Sequence, residues 1–297
     1  MLRGLWIGTS GMQAQEHRLD VIANNLANVD TNGFKRDVSV MKAFPELLIR
    51  RTNDNGVRTM PIGSFDTAPI VGRLGTGVEY NETYTAFEQG SFKETGNDFD
   101  IALGSNGIRA EGFFVIETPH GERYTRNGSF TLGREGYVVT KEGFRVMGEN
   151  GPIRVKENNF RIDIDGNIFY NAVYDLDDER QLVSATGNQW EQTELFDRLK
   201  IVHFYDLMGQ DAARYLNKQG GSLWQASQLS GEAVLMERDN PARPQVLQGV
   251  LETSSVNAIS EMVNMIAANR AYEANQRTVQ TADNTIDQII NRVLRSN

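Results

Sequence analysis

The stretch LDVIANNLANVDTNGF, from Leu19 to Phe34, combines apolar residues at helical spacing with four asparagines. Asparagine is a mediocre helix former, and water-facing helix surfaces are usually built from Glu, Lys, Arg and Gln. The spacing predicts a helix, but the composition of its outer face is unusual. Two interpretations follow: a mildly polar face in solvent, or a face that packs against other protein subunits.

The helix extends back toward the N-terminus on a heptad pattern. Apolar residues recur seven positions apart, and a second series follows each by three, with Gln15 as its one polar member. The apolar members of this predicted seam are Leu5, Met12, Leu19, Leu26, Ile22 and Val29. The pair Asn32-Gly33 then predicts the helix end, because both residue types tolerate the left-handed cap conformation.

The C-terminus repeats the pattern. A second heptad series consists of Met265, Tyr272, Val279, Ile286 and Val293. It predicts a helix from about Val256 to Leu294, with Ser254 or Ser255 as its N-cap. Neither helix is stable alone in water on so narrow an apolar stripe. We therefore expect the two helices to pack on each other as a coiled-coil-like pair.

The faces turned away from this seam are poor in charge. With Leu19 at heptad position a, Val21 and Asn28 fall at c, Asn24 at f and Asn25 at g. Amides can bond to the backbone and to each other without burying charge. The candidate residues for packing against other subunits are Val21, Asn24, Asn25, Asn28, Asn264, Ile266, Asn269 and Arg270.

Between the helices the sequence is rich in β signals. Short aromatic and β-branched runs alternate with turns at His120-Gly121, Arg134-Glu135-Gly136, Lys141-Glu142-Gly143 and Asp165-Gly166-Asn167, which is typical of an antiparallel meander. The predicted class is α+β, with a mostly antiparallel β domain inserted into the helical pair. The predicted segments are 1–36 (helix), 37–87 (extended or irregular, with a short helix near Phe44–Arg51), 88–235 (β domain), 236–255 (extended return) and 256–297 (helix).

Composition excludes several classes of function. The net charge of −9 and the lack of a basic tract argue against a nucleic-acid partner. No apolar run is long enough to span a bilayer, and the N-terminus does not resemble a secretory signal. The absence of cysteine excludes disulfides, thiolate catalysis and Cys-ligated zinc. It fits a reducing compartment and, equally, a chain that is exported unfolded.

Candidate catalytic groups are sparse. His17, His120 and His203 have no second histidine or carboxylate at zinc-like spacing. Asp98 and Asp100 stand two apart and could form a carboxylate pair for acid–base work, as in an exported hydrolase. The plainer interpretation puts Asp98 in a turn and Asp100 in solvent. We therefore expect no enzyme activity, no cofactor and no metal.

Three parts of the sequence resemble the bacterial flagellar axial proteins, which comprise rod, hook and hook-associated subunits. SGMQAQEHRLDVIANNLANVDTNGFKRD (10–37) is similar to their N-terminal signature, and VLQGVLETSSVNAISEMVNMIAANRAYEANQRTVQTADNTI (246–286) to their C-terminal one. GNDFDIALGSNGIRAEGFFVIETPHGERYTRNGSFTLGREGYVVTKEGFRVMG and SLWQASQLSG resemble the rod and hook β domain. ALGSNGIRAEGFF is longer than the usual form, and residues 171–200 resemble an added elaboration.

The resemblance implies a mechanical function. It implies a rod subunit, exported unfolded by the flagellar type III apparatus without a cleaved signal. Such a subunit polymerises with copies of itself and with neighbouring rod subunits into a hollow helical shaft that spans the periplasm and transmits torque to the hook. The sequences VMGENGPIRV and YTRNG are more similar to the proximal-rod FlgF type, and the distal-rod FlgG type is the alternative.

Overall fold

A computed structural model of the chain describes residues 2–50, 57–60, 63–66, 70–105, 111–157, 159–171, 193–205, 211–220, 222–238 and 240–295. Most of the predicted elaboration lies outside them. Two α-helices enclose the strands in the sequence: α1 is Leu2–Ala27 and α2 is Ala258–Arg295. The fold is therefore α+β with an inserted, mostly antiparallel β domain, as predicted.

The strands of the first part of the chain are β1 (Asp37–Ala43), β2 (Leu47–Arg50), β3 (Val57–Met60), β4 (Gly63–Asp66), β5 (Ile70–Leu74), β6 (Val78–Thr85), β7 (Phe92–Glu94) and β8 (Ile101–Gly104). The strands of the middle are β9 (Phe113–Thr118), β10 (Gly121–Thr125), β11 (Thr131–Leu132), β12 (Val138–Val139), β13 (Arg145–Val146), β14 (Phe160–Ile162), β15 (Asn167–Asn171) and β16 (Thr193–Arg198). The last are β17 (Ile201–Phe204), β18 (Asn217–Gln219), β19 (Leu223–Gln225), β20 (Ala233–Leu235), β21 (Gln245–Gln248) and β22 (Val250–Glu252).

The chain forms two compact units. The first, the helical unit, comprises Met1–Asn24, Asp37–Tyr84 and Ile259–Asn297. The second, the β unit, comprises Asn25–Arg36 and Thr85–Ala258. The helical unit thus takes in the strands from 37 to 84, for which the sequence predicted an extended or irregular segment with a short helix.

In the helical unit, α1 and α2 approach each other through glycines. A Cβ atom placed on Gly8 would lie 2.8 Å from Val279 Cγ2, and one on Gly11 would lie 2.7 Å from Asn275 Nδ2. The residue numbers rise along α1 while they fall along α2, so the two helices are antiparallel. Glycine permits this distance because it has no side chain to separate the backbones.

The strands of this unit pair in three small sheets, β1 with β6, β2 with β5, and β3 with β4. The predicted short helix near Phe44–Arg51 is wrong, because Leu47–Arg50 forms β2 in an antiparallel pair with β5. The run Leu47-Leu48-Ile49 ends in a β-branched residue and has no helical periodicity. Its structure is therefore decided by pairing with a second run that favours strands, Ile70-Val71.

The β unit is built around one strand, β9. Its residues pair with β10 on one side, and with β13 and β17 on the other, all antiparallel. Phe114 and Ile116 belong to one buried cluster and Phe113 and Val115 to a second, because successive side chains of a strand point to opposite faces. Burial on both faces explains why these four residues are all apolar.

The predicted turns of the meander are present. The glycines at 121, 136, 143 and 166 all have a positive φ, between 78° and 100°. This left-handed conformation is available to glycine without steric cost. Each of the four glycines lies at a connection between β-paired segments. Each of these four predicted turns therefore contains a glycine in the left-handed conformation.

Both helix boundaries differ from the prediction. α1 ends at Ala27, five residues before Asn32, and the chain continues in turns such as Asn28 N–H to Asn25 O (3.1 Å). Asparagine side chains can also bond to nearby backbone groups, which favours turns over helix. α2 begins at Ala258, so the predicted capping Ser254 lies before it, where its hydroxyl accepts a bond from Val256 N–H.

The glycine contact gives a stability prediction. A Cβ atom placed on Gly4 would have no heavy atom within 4 Å, whereas one on Gly8 would meet Val279 at 2.8 Å. Gly4→Ala should therefore gain the helix propensity of alanine, about 1 kcal/mol, and raise the thermal midpoint followed by circular dichroism at 222 nm. Gly8→Ala should lower the midpoint despite the same gain. Equal midpoints would contradict the close contact at Gly8.

Candidate assembly interface

The predicted seam residues of α1 line up on one side of the helix. Ile22 is buried, and Leu5, Met12, Leu19 and Leu26 are half-buried. Gly8 and Gly11, which are not among the predicted seam residues, also lie against α2. Val29 lies beyond the end of α1, so its assignment to a helical seam is wrong. The turn that begins at Asn25 accounts for this difference.

The predicted seam residues of α2 share one face. Met265, Tyr272, Val279 and Ile286 are all half-buried, and Ala268, which lies on the same face, is fully buried. Val293 belongs to α2, but its side chain is outside the described part of the chain.

The predicted outward residues fall into three groups by burial. Asn24, Ile266, Asn269 and Arg270 are exposed, and Val21, Asn28 and Asn264 are half-buried. Asn25 is only 1% exposed. The prediction that Asn25 is available to another subunit is therefore wrong, since its amide is enclosed within the chain. Burial of Asn25 accompanies the turn that ends α1, which the heptad assignment did not anticipate.

The most prominent exposed surface is an apolar stripe near the start of α2, which we call the α2 stripe. Its members are Ile259, Met262, Val263 and Ile266, whose exposed fractions are 72%, 46%, 60% and 54%. The spacing of three and four places all four on one helix face. Contiguous exposed apolar surface of this kind marks an interaction site in soluble proteins. The sequence contains the same periodicity, but the stronger heptad series obscured it.

A second exposed apolar surface lies on the β2–β5 pair. Its members are Leu47, Leu48, Ile49, Ile70 and Val71. Both strands of a two-stranded sheet expose apolar side chains here, which is costly in water unless another surface covers them. The helical unit therefore carries two candidate surfaces for assembly.

In the β unit, a buried carboxylate joins three remote segments. Glu252 of β22 forms one ion pair with Lys35 Nζ at 2.7 Å and a second with Arg126 Nε at 3.2 Å. Lys35 and Glu252 are each only 2% exposed. Both carboxylate oxygens are thus paired, and Gly90 N–H adds a third bond at 3.0 Å. We call this set the Glu252 cluster.

The remaining donors of the cluster bind backbone carbonyls. Lys35 Nζ donates to Glu88 O at 2.7 Å, and Arg126 donates to Gly112 O at 2.6 Å and to Leu103 O. Burial alone would raise the pKa of Glu252, but the Arg126 and Lys35 cations keep that pKa below its usual value. Burial lowers the pKa of Lys35, and the nearby Arg126 adds to this effect.

Backbone hydrogen bonds beside the Glu252 cluster join the segments that carry Lys35 and Glu252. Gly33 N–H donates to Glu252 O at 2.8 Å, and Ser255 N–H donates to Phe34 O at 3.1 Å. Gly33 has a φ of +67°, and a Cβ on it would lie 2.7 Å from the Arg126 backbone. The segment after α1 and the segment before α2 are therefore held side by side within the β unit.

A neighbouring carboxyl, Glu111, is less well satisfied. Its Oε2 atom is buried and has no hydrogen-bond partner among the described residues. Burial, with a further contribution from Asp211, raises the pKa of Glu111 to about 8. The folded protein thus keeps this carboxyl protonated at neutral pH.

The candidate catalytic groups do not come together. Asp100 is buried and accepts a bond from Thr95 Oγ1 at 2.7 Å, while Asp98 is exposed in a turn. His203 is buried, and burial lowers its pKa to about 4. Within the described residues no three metal-ligating side chains cluster. Neither helix, as far as it is described, could cross a bilayer.

Three family models match the chain in order. Residues 5–35 match the model described as flagella basal body rod protein, and residues 107–170 match flagellar hook protein FlgE/F/G D1 domain. Residues 247–292 match flagellar basal body rod FlgEFG protein C-terminal. These ranges cover most of both helices and the centre of the β unit.

Full-length relatives agree with the family models. A flagellar basal-body rod protein FlgG of Buchnera aphidicola (subsp. Acyrthosiphon pisum) is 33% identical, over 97% of this chain and 99% of the relative. FlgG of Borreliella burgdorferi is 31% identical over 96% and 97%, and the flagellar hook-basal body complex protein FlhO of Bacillus subtilis is 29% identical over 99% of each.

The exposed apolar faces of the helical unit mark a protein that assembles with others. The chain belongs to the flagellar basal-body rod family, and is a structural subunit of the rod and not an enzyme. The preference for the proximal FlgF type is not supported, because the relatives named above include FlgG proteins matched from end to end. The short motifs that suggested FlgF carried too little information.

The Glu252 cluster gives a second stability prediction. Glu252→Ala would leave two buried cations without an anion, a loss that typically costs about 3–5 kcal/mol. We expect a lower urea midpoint for the purified chain, followed by tryptophan fluorescence. Glu135→Ala is the matched control, since it breaks the exposed pair with Arg145 and should cost less than about 1 kcal/mol. Similar losses for both variants would contradict the cluster's importance.

Glu111 gives a prediction for pH dependence. Its pKa is raised in the folded state, so the unfolded chain releases this proton first and stability falls as the pH rises from about 4.5 toward 8. Glu111→Gln mimics the protonated carboxyl and should remove this decline. Urea midpoints of both proteins should therefore diverge steadily over that pH range, with the variant more stable. A constant difference between them would show that Glu111 is ionised in the folded protein.

Proposed function

We propose that the chain is the distal-rod, FlgG-type subunit. The observation that carries the proposal is the end-to-end match with proteins named FlgG, which spans both helices and the β unit. A match of this extent includes the terminal signatures and the β unit together, whereas the motifs that favour the FlgF type are a few residues long. The proximal-rod type is the alternative.

In this proposal the helical unit supplies the contacts that build the shaft. The heptad residues of α1 and α2 form the seam within each chain, and the outward residues pack against neighbours. Exposed apolar surface at the α2 stripe supports this role, because it would otherwise face water. Head-to-tail contacts that do not close generate a helical tube. The division into the segments 1–36, 37–87, 88–235, 236–255 and 256–297 is part of the proposal, with α1 inside the first segment and α2 inside the last.

The proposal includes a route to the assembly site. The flagellar type III apparatus exports the chain unfolded, without a cleaved signal, and the rod crosses the periplasm. A sequence without cysteine cannot form incorrect disulfides on this route. Partners are copies of the chain itself and the adjoining rod subunits.

Immunogold labelling of isolated basal bodies tests the proposal. With an antibody raised against the β unit, we expect gold along the part of the rod next to the hook. The same preparation from a strain that lacks the gene controls for cross-reaction with related subunits. Label confined to the end of the rod next to the cell body would instead identify a proximal-rod subunit, and label absent from basal bodies would reject both.

A further inference from the structure

The helical unit has a groove on the side of α1 that faces β6. Trp6, Ser10, Gln13 and His17 line it from α1, Glu79 and Tyr80 line it from β6, and Phe44 lines it just after β1. Its volume is about 440 Å³. His17 stacks on Tyr80 with ring centroids 4.8 Å apart, which closes one end, while Trp6 is 64% exposed at the other. We call this the α1 groove.

The α1 groove and the α2 stripe cannot meet within one chain. Successive residues of a helix are rotated by about 100°, which places Trp6, Gln13 and His17 roughly opposite Gly8 and Gly11 on α1. The same count places the α2 stripe roughly opposite Asn275 and Val279 on α2. Since Gly8 and Gly11 lie against Val279 and Asn275, the α1 groove and the α2 stripe lie on opposite sides of the helix pair.

The two surfaces match in length. The groove follows α1 from Trp6 to His17, about 16 Å at 1.5 Å per residue. The stripe together with Arg270, the next residue on its face, follows α2 from Ile259 over about the same 16 Å. An apolar helix face laid into a groove of a second protein is a common mode of protein recognition.

They also match in charge. Glu79 lies in the groove toward its His17 end, and Arg270 is exposed at the far end of the stripe. Among the described residues neither of them has an ion-pair partner. Consider α1 of one copy and α2 of a second copy that run in the same direction, with Ile259 beside Trp6. In this alignment Ile266 lies beside Gln13, and Arg270 lies beside His17 and Glu79.

We propose that the α1 groove of one copy binds the α2 stripe of a second copy, in this parallel register. The contact joins two different surfaces, so each copy can bind one neighbour on either side, and repeated contacts of this kind build an open helix when the rotation between copies does not close a ring. This assignment rests on the proposed function, since it supplies one of the contacts by which rod subunits polymerise. It pairs Glu79 of one copy with Arg270 of the next.

Engineered cysteines test the register directly, because the chain has none of its own. Rods are isolated from a strain that expresses the double variant Gln13→Cys and Ile266→Cys, oxidised, and separated without reductant. We expect a ladder of bands at multiples of the mass of the chain, and none from either single variant. Gln13→Cys with Asp287→Cys is the control, since Asp287 is exposed but lies about 30 Å further along α2 and should give no ladder.

Other results would overturn the assignment. If rods contain the double variant but show no ladder, the groove and stripe are not in contact, although the rod function stands. A cross-linked band at a mass that is not a multiple of this chain means that another protein occupies the groove. If the wild-type chain is missing from rods altogether, the proposed function fails first.

Charge reversal tests the ionic part of the contact. Glu79→Arg and Arg270→Glu should each lower incorporation into rods about tenfold or more, because each places like charges together. The double variant restores the opposite pair and should recover incorporation. Failure of the double variant to recover, or normal incorporation of either single variant, would overturn the pairing. Far-UV circular dichroism of each purified variant confirms that loss of incorporation does not reflect loss of fold.

Discussion

The buried carboxylate of Glu252 holds the β unit together at the place where the chain enters and leaves it. It pairs with Lys35, from the segment that follows α1, and with Arg126, from the centre of the β unit. These bonds close a loop of 217 residues between Lys35 and Glu252. Loop closure of this length is costly in chain entropy, so the ion pairs, the backbone bonds around Gly33 and the packing of Phe34 must act together.

This arrangement suits a subunit whose helices belong to the two ends of the chain. The antiparallel packing of α1 on α2 requires residues near 8 and 279 to meet, which is unfavourable for free chain ends. The Glu252 cluster holds the adjoining segments side by side inside the β unit. A buried salt bridge is weak evidence for stability in itself, but it specifies one arrangement because its charges have no good alternative partner.

The sequence predicted the elements whose causes are local. Heptad spacing placed both helices, and glycines such as Gly121 and Gly166 placed the reversals of the meander, because each depends on a few adjacent residues. It did not predict what depends on remote partners. Lys35 and Arg126 are unremarkable charges until the fold brings both to Glu252, and Gly8 becomes a contact only when α2 lies on it. Heptad spacing also misplaces the end of α1, because it assigns Asn25 and Asn28 to an outward helix face, whereas they form the turn that ends the helix.

The exposed apolar faces of the helical unit are the surfaces that we propose for assembly of the rod. In the proposed rod, a neighbour that covers Ile259, Met262, Val263 and Ile266 lowers the free energy by removing their apolar surface from water, so assembly needs no chemical step. A reconstruction of the rod at side-chain resolution tests this account most directly. It predicts this chain in the part of the rod next to the hook, with Gly8 against Val279 in each copy and the α2 stripe buried by a neighbouring copy. Density that shows the two helices apart, or the α2 stripe facing the open channel, would contradict it.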